Sequence, residues 1–250
     1  MLNVKETLAG DNRPVMVISD LHYEKDYHHR VWEGEAYKWL LRMVRNARPV
    51  SLIALGDLGH AWLPADWKEL TEMVPVHAIY GNHDNLDALR SARNRDGTRV
   101  LAEDGEVRMI AGLKVGFISG IIASDGRLKV KDGVPRRSAE DFLSAAVKLA
   151  GVDILATHAS PYLPEYGRRY HLSEEFEVLE KVINQVNPLL SVSGHLSGPY
   201  TLSKLGNSTV LRIDSSQAER HYALLDPDAK QVRIMHDYDV VETGVFSRSP

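Results

Sequence analysis

Five short turns in this 250-residue chain collect side chains that can bind cations or move protons. They are Asp20-Leu21-His22, Gly56-Asp57, Gly81-Asn82-His83-Asp84, His158-Ala159-Ser160-Pro161 and Gly194-His195. A turn aspartate or asparagine ordinarily bonds nearby backbone, and a lone histidine is ordinarily structural or solvated, so one such turn says little. Five together say more. The set offers the carboxylates of Asp20 and Asp57, several imidazoles and the Asn82 amide oxygen, and the chain has no cysteine. Nitrogen and oxygen donors without sulfur suit borderline divalent ions such as Mn²⁺, Fe²⁺, Co²⁺ and Zn²⁺. More than four donors exceed one tetrahedral site, which points to two ions about 3.5–4 Å apart sharing a carboxylate and a hydroxide.

Each turn follows a short apolar run: VMVIS (15–19), SLIAL (51–55), VHAIY (76–80), VDILAT (152–157) and LLSVS (189–193). Runs of about five β-leaning residues closed by turn signals read as buried strands. In open α/β sheets, binding sites form beyond the carboxyl ends of the strands, so the five turns are expected on one sheet edge. Helical spacing of apolar residues runs through 31–47, where Trp32, Ala36, Trp39, Leu40, Met43 and Val44 share a face, and again through 138–150 and 173–187. Ser173 is the expected N-cap of the last, which stops before Pro188. Strand–helix alternation implies an α/β fold. Residues 98–119 read as hairpins, 120–137 as a surface loop, and 209–236 as further strands. With no repeat, low-complexity tract or linker, residues 1–250 are expected to form one domain with mixed strand direction.

Composition narrows the function. A hydrophobic content of 44% and charged content of 26% are ordinary for a globular chain. A net charge of −4 and pI near 6.3 leave no basic footprint, so nucleic acid is not an expected partner. The opening MLNVKETLAG lacks a signal-peptide pattern, and the uncharged stretch Val115–Ser124 is about half a membrane span. A cytoplasmic protein without a membrane partner is expected.

The order and strand-end placement of D-x-H (20–22), G-D (56–57), G-N-H-D (81–84), H-x-x-P (158–161) and G-H (194–195) resemble the calcineurin-like metallophosphoesterases. That resemblance implies an αββα sandwich of two mixed β-sheets flanked by helices. It implies two divalent ions, Mn²⁺ first and Fe, Zn, Co or Ni as alternatives. One would be held by Asp20, His22 and Asp57, the other by Asp57, Asn82, His158 and His195. His83 would stabilise or protonate the leaving oxygen, with Asp84 orienting its ring. The implied activity is hydrolysis of a small phosphorylated substrate, mono- or diester, by a hydroxide shared between the ions and attacking phosphorus in line. The logic is physical as well: cations neutralise the phosphoryl oxygens and lower the pKa of water, and in-line displacement needs an acid on the far side.

One position departs from the family pattern. The last motif normally reads G-H-x-H, and here the second histidine is Ser197. A serine hydroxyl is a poor ligand for these ions, so weaker binding is expected at the ion held by Asp20, His22 and Asp57. His60 and His171 are candidate substitutes. Ser197 also favours an alternative reading, a catalytically weak or inactive binding protein on the same fold, which the retained His83 opposes. His28, His29, Arg168 and Arg169 are expected mainly as solvated loop residues, and Trp62 and Trp67 as core. The loops 23–30, 59–66, 120–137 and 162–172 carry no pattern that selects a substrate.

Overall fold

The apolar runs become strands because each is covered on both faces, which is why they read as near-continuous hydrophobic stretches. Val15 and Val17 point into one buried cluster while Met16 and Ile18 point into another. This alternation sets two sheets face to face with helices outside. The structure, a computed structural model, describes residues 13–24, 27–28, 31–123, 130–131, 133–169 and 174–247.

In chain order, β1 (Val15–Ile18) is followed by the two-residue strands β2 (Tyr27–His28) and β3 (Val31–Trp32), then α1 (Ala36–Ala47) and β4 (Ser51–Ala54). Next come α2 (Pro64–Met73), β5 (Val76–Ala78), α3 (Leu86–Ser91), β6 (Val107–Ile110) and β7 (Leu113–Ile118). The short strands β8 (Val130–Lys131) and β9 (Val134–Pro135) lead to α4 (Ala139–Val147), β10 (Ile154–Thr157), α5 (Glu174–Val186) and β11 (Leu190–Ser193). The chain then runs through β12 (Tyr200–Leu205), β13 (Ser208–Ile213), β14 (His221–Asp226), β15 (Gln231–His236) and β16 (Asp239–Val245).

One six-stranded sheet has the order β16-β15-β14-β1-β4-β5, the other β12-β13-β11-β10-β7-β6. β1, β4 and β5 run parallel, as do β7, β10, β11 and β13. The remaining strands of both sheets are antiparallel to their neighbours. Val17, Ile53, Phe117, Ile154, Val192, Leu211 and Ile234 fill the space between the sheets. α1, α2 and α3 cover the outer face of the first sheet, and α4 and α5 that of the second. This is the expected αββα sandwich of two mixed sheets.

Several boundaries differ from the sequence reading. The helix expected over 31–47 begins at Ala36, because Val31 and Trp32 pair with Tyr27 and His28 and residues 33–35 make a 3-10 turn. α2 begins inside what read as a loop: Pro64 at the first helical position fits, since its missing N–H would have had no partner there. α4 starts at a reciprocal cap, with Ser138 Oγ accepting from Asp141 N at 3.1 Å and Asp141 Oδ2 from Ser138 N at 3.2 Å. In the segment read as a surface loop, Ile121, Ile122 and Ala123 are buried, and Ile122 bridges to Arg137. Residues 98–104 form bridges rather than a strand, whereas β6 and β7 make the expected hairpin. The Ser173 cap lies outside the described residues.

Candidate metal centre

Four of the proposed donors sit where the backbone turns sharply off a strand. Asp20 (φ 54°), His22 (φ 49°), Asp57 (φ 52°) and His195 (φ 68°) all lie in the left-handed region. Non-glycine residues reach it at a cost, which surrounding structure must offset. Here it does so with hydrogen bonds between turns: Asp20 N donates to Gly56 O at 3.0 Å, and His22 N to Asp57 O at 2.9 Å. His195 N donates to Asp20 Oδ2 at 2.9 Å, which ties the second sheet's turn to the first.

Two glycines let these turns close up. A Cβ on Gly81 would meet Asp57 Oδ1 and the His158 ring, and one on Gly194 would meet Ser19 Oγ and Asp20 Oδ2. Both positions are glycine because ligand side chains occupy the space.

The donors fall into two groups, Asp20–His22–Asp57 and Asp57–His158–His195, with ligand atoms in each group within 4.8 Å of one another. Asp57 belongs to both. Its Oδ1 accepts from the backbone N–H of Asn82 and from that of His83, the latter at 2.6 Å. Its Oδ2 lies 3.4 Å from His158 Nε2. His158 Nδ1 lies 2.8 Å from the Leu55 carbonyl, which can only accept, so the proton there leaves Nε2 facing the centre. His158 Nε2 and Asn82 Oδ1 are buried and make no hydrogen bond. Two orphaned buried donor atoms beside a shared carboxylate are what a divalent cation would satisfy, so the residues fit one.

The electrostatics point the same way. Burial pushes Asp20 up to about 8, opposed by His158 and reinforced by Asp57 and Asp214. Burial also acts to raise Asp57, but His158, His22 and His195 outweigh it and hold this carboxyl well below the usual range. His158 is pushed up to about 10, burial being outweighed by Asp57, Asp20 and Asp84. Burial and then His158 push His195 down to about 3. Opposed shifts of this kind mark a buried, crowded set of charges, where a bound cation would compete with protons.

His83 lies with its ring 5.5 Å from that of His22 and 5.9 Å from that of His60. His60 is therefore beside His83, outside both ligand groups. Asp84, expected to orient the His83 ring, also ties neighbouring turns together. Its Oδ2 accepts from Asp57 N at 2.9 Å and Gly81 N at 2.6 Å, and its Oδ1 from Leu58 N at 2.8 Å. A carboxylate engaged by three backbone N–H groups holds the two turns together. Burial and then Asp57 raise it to about 6.

Ser197 is exposed, on a turn whose carbonyls face inward: Arg212 Nη1 donates to Leu196 O at 2.6 Å and to Gly198 O at 2.8 Å. Asp214 Oδ2 accepts from Gly198 N at 3.2 Å. Trp62 and Trp67 pack at 4.4 Å in a buried cluster with Tyr37 and Tyr23, as core. The side chains of His28, His29, Arg168, Arg169 and His171 lie outside the described residues.

The sequence reading missed Glu175, Arg136, Arg212 and Asp214. Glu175 Oε1 lies 3.6 Å from His195 Nε2, and the half-buried Arg136 acts electrostatically on both. Glu175 reads as one acid among several in a helix's first turn, and Arg136 as one charge in a charged loop; only the fold brings them to His195.

The sequence model of a family described as calcineurin-like phosphoesterase matches residues 13–199. No curated protein matches the chain. Among solved structures, TT1561 of Thermus thermophilus superposes with a TM-score of 0.66 at 18% identity, over 90% of this chain and 99% of that one. GAP50, the anchor in the inner membrane complex of Plasmodium, does so with a TM-score of 0.59 at 12% identity, over 95% of this chain and 89% of its own. No helix among the described residues is long and apolar enough to cross a membrane.

Proposed function

The chain belongs to the calcineurin-like phosphoesterase family, and from that premise we propose that it hydrolyses phosphate esters with the help of two divalent cations. The observation that carries this reading is Asp57, one carboxylate common to a donor group from the first sheet and to another completed by His158 and His195 of the second. Asp20, His22 and Asp57 would hold one ion, and Asp57, Asn82, His158 and His195 the other, with manganese the first choice for oxygen and imidazole donors. Bound there, the ions would supply charge neutralisation at the phosphoryl oxygens and would lower the pKa of water.

The chain's own residues do the rest. Asp57 accepts the backbone N–H groups of Asn82 and His83 and so sets the loop carrying the leaving-group histidine by the same carboxylate that binds metal. His83, on the rim between His22 and His60, donates a proton to the departing oxygen. Asp84 fixes the spacing of the Asp57 and Gly81 turns through its three backbone bonds. Arg136, acting on His195 and Glu175, is positioned to attract an anionic ester. With Ser197 in place of the last histidine, an ion held by Asp20, His22 and Asp57 would have fewer protein ligands than the other and would be the weaker bound. Ser197 also supports a second reading, a binding protein with little turnover, which the six retained donors and His83 oppose.

The test is hydrolysis of bis-p-nitrophenyl phosphate and p-nitrophenyl phosphate with added Mn²⁺, alongside Asp57→Asn. Manganese-dependent turnover lost in the variant is the expected result, and the preferred ester separates diesterase from monoesterase. A folded protein inert with several metals would favour the binding reading.

A further inference from the structure

We propose that Glu175 is a positioning residue for His195: its carboxylate holds the Nε2 edge of the ring and thereby presents Nδ1 to the ion shared with Asp57 and His158. The proposal rests on the metal reading above and adds a residue that none of the five motifs contains.

Glu175 is the second residue of the 13-residue helix α5 and is 8% exposed. A buried carboxylate is costly unless bonded, and two features hold this one. Oε2 accepts from Ile122 N at 2.9 Å, which fixes the plane of the group. The first turn of a helix also favours negative charge. Oε1 is left facing His195 Nε2 at 3.6 Å. A closure of about 0.5 Å brings the pair into hydrogen-bonding range.

The imidazole has two nitrogens, and neutral His195 carries one proton. A carboxylate beside Nε2 draws the proton to that atom, so the lone pair is on Nδ1. The backbone N–H of His195 is held by Asp20 Oδ2, and the ring itself packs edge-on against that of His158 with centroids 5.2 Å apart. A metal-binding histidine commonly gives its other N–H to a carboxylate, which fixes the tautomer and raises the basicity of the ligand nitrogen. Through Ile122, Glu175 also couples the buried strip 121–123 to this ligand.

The experiment compares metal-stripped wild type with Glu175→Gln and Glu175→Ala by calorimetric titration with Mn²⁺. Gln keeps an oxygen for the Ile122 N–H and removes the charge; Ala removes both. Glu175→Gln is expected to weaken one binding event about 10- to 100-fold, leaving the other unchanged and the metal-free melting temperature unaltered. In the metal-free protein, ¹⁵N NMR of His195 is expected to show the Nε2–H tautomer in wild type and a shift toward Nδ1–H in Glu175→Gln. Wild-type affinity and tautomer in Glu175→Gln would overturn the proposal. So would loss confined to Glu175→Ala, which would assign Glu175 to holding Ile122 alone. The wild-type titration judges the metal reading by itself: a wild type that binds no Mn²⁺ defeats both, whereas normal binding with an indifferent variant defeats only this one.

Discussion

Gly81 has no room for one more carbon. A Cβ there would lie 2.6 Å from both Cε1 and Nε2 of His158 and still closer to Asp57 Oδ1. Neither neighbour can retreat freely, because His158 Nδ1 is tied to Leu55 O and Asp57 N to Asp84 Oδ2. Gly81→Ala therefore has to move a ligand or the turn itself. Displacing a reacting group by about 1 Å costs about 100-fold in rate, and overpacking of this kind costs about 1–3 kcal/mol. The variant is expected to lose metal-dependent turnover by about 100-fold or more and to bind Mn²⁺ more weakly, while melting as a single cooperative transition. Retained wild-type affinity and rate would mean that the Asp57–His158 approach is not the geometry that binds metal. This glycine was visible in the sequence as part of G-N-H-D, yet its physical reason was not, since the two groups it makes room for lie 24 residues before it and 77 after it.

Single elements carry their own electrostatics, and β5 shows how. His77 lies on this edge strand with Arg108 Nη1 3.3 Å from its Nδ1. Burial and then the Arg108 charge push its pKa down to about 4. An unfolded histidine titrates near 6.5, so between pH 6.5 and 4 the unfolded chain binds the extra proton. The stability that neutral His77 allows is complete above 6.5 and is lost as pH falls toward 4. A depression of this size corresponds to about 3 kcal/mol, and no more than about 3.5, at 1.36 kcal/mol per unit. Denaturant midpoints measured from pH 7.5 to 4.5 are expected to fall more steeply for wild type than for His77→Gln; parallel curves would exclude His77 as a source. The same strand illustrates legibility. β1, β4, β5, β10 and β11 were readable because burial on both faces makes apolar runs closed by turn residues. β12 and β16 were not: both are edge strands, and Asp239–Val245 is mostly exposed, so no apolar alternation marks it. Glu33 illustrates the start of α1, where its side chain turns inward to accept from Gln217 N at 3.0 Å. That bond crosses 184 residues and leaves no local trace. Glu175 was illegible for the same reason, because its partners Ile122 and His195 are brought to it only by the second sheet and its helices.

At the scale of the molecule, the metal centre is a seam. Asp20, His22, Asp57 and Asn82 leave the ends of β1, β4 and β5 in one sheet, whereas His158 and His195 leave β10 and β11 in the other. The apolar layer between the sheets holds them along their length, and at this end polar turns replace it. Asp57 is the common point of both donor groups, so bound ions would tie the sheets together through one carboxylate. Ions that bind only the folded chain stabilise it by mass action, about 2.7 kcal/mol at 100 times the dissociation constant. For a chain of this size that raises the melting temperature by about 5–10 °C. Mn²⁺ is therefore expected to raise the midpoint and a chelator to reverse it. The variants separate the geometry from a general salt effect. His22→Ala touches one donor group and should keep part of the shift, whereas Asp57→Asn touches both and should lose nearly all of it. Equal residual shifts in the two would show that Asp57 is not shared, and that the sheets are held at this end by the turn-to-turn hydrogen bonds alone.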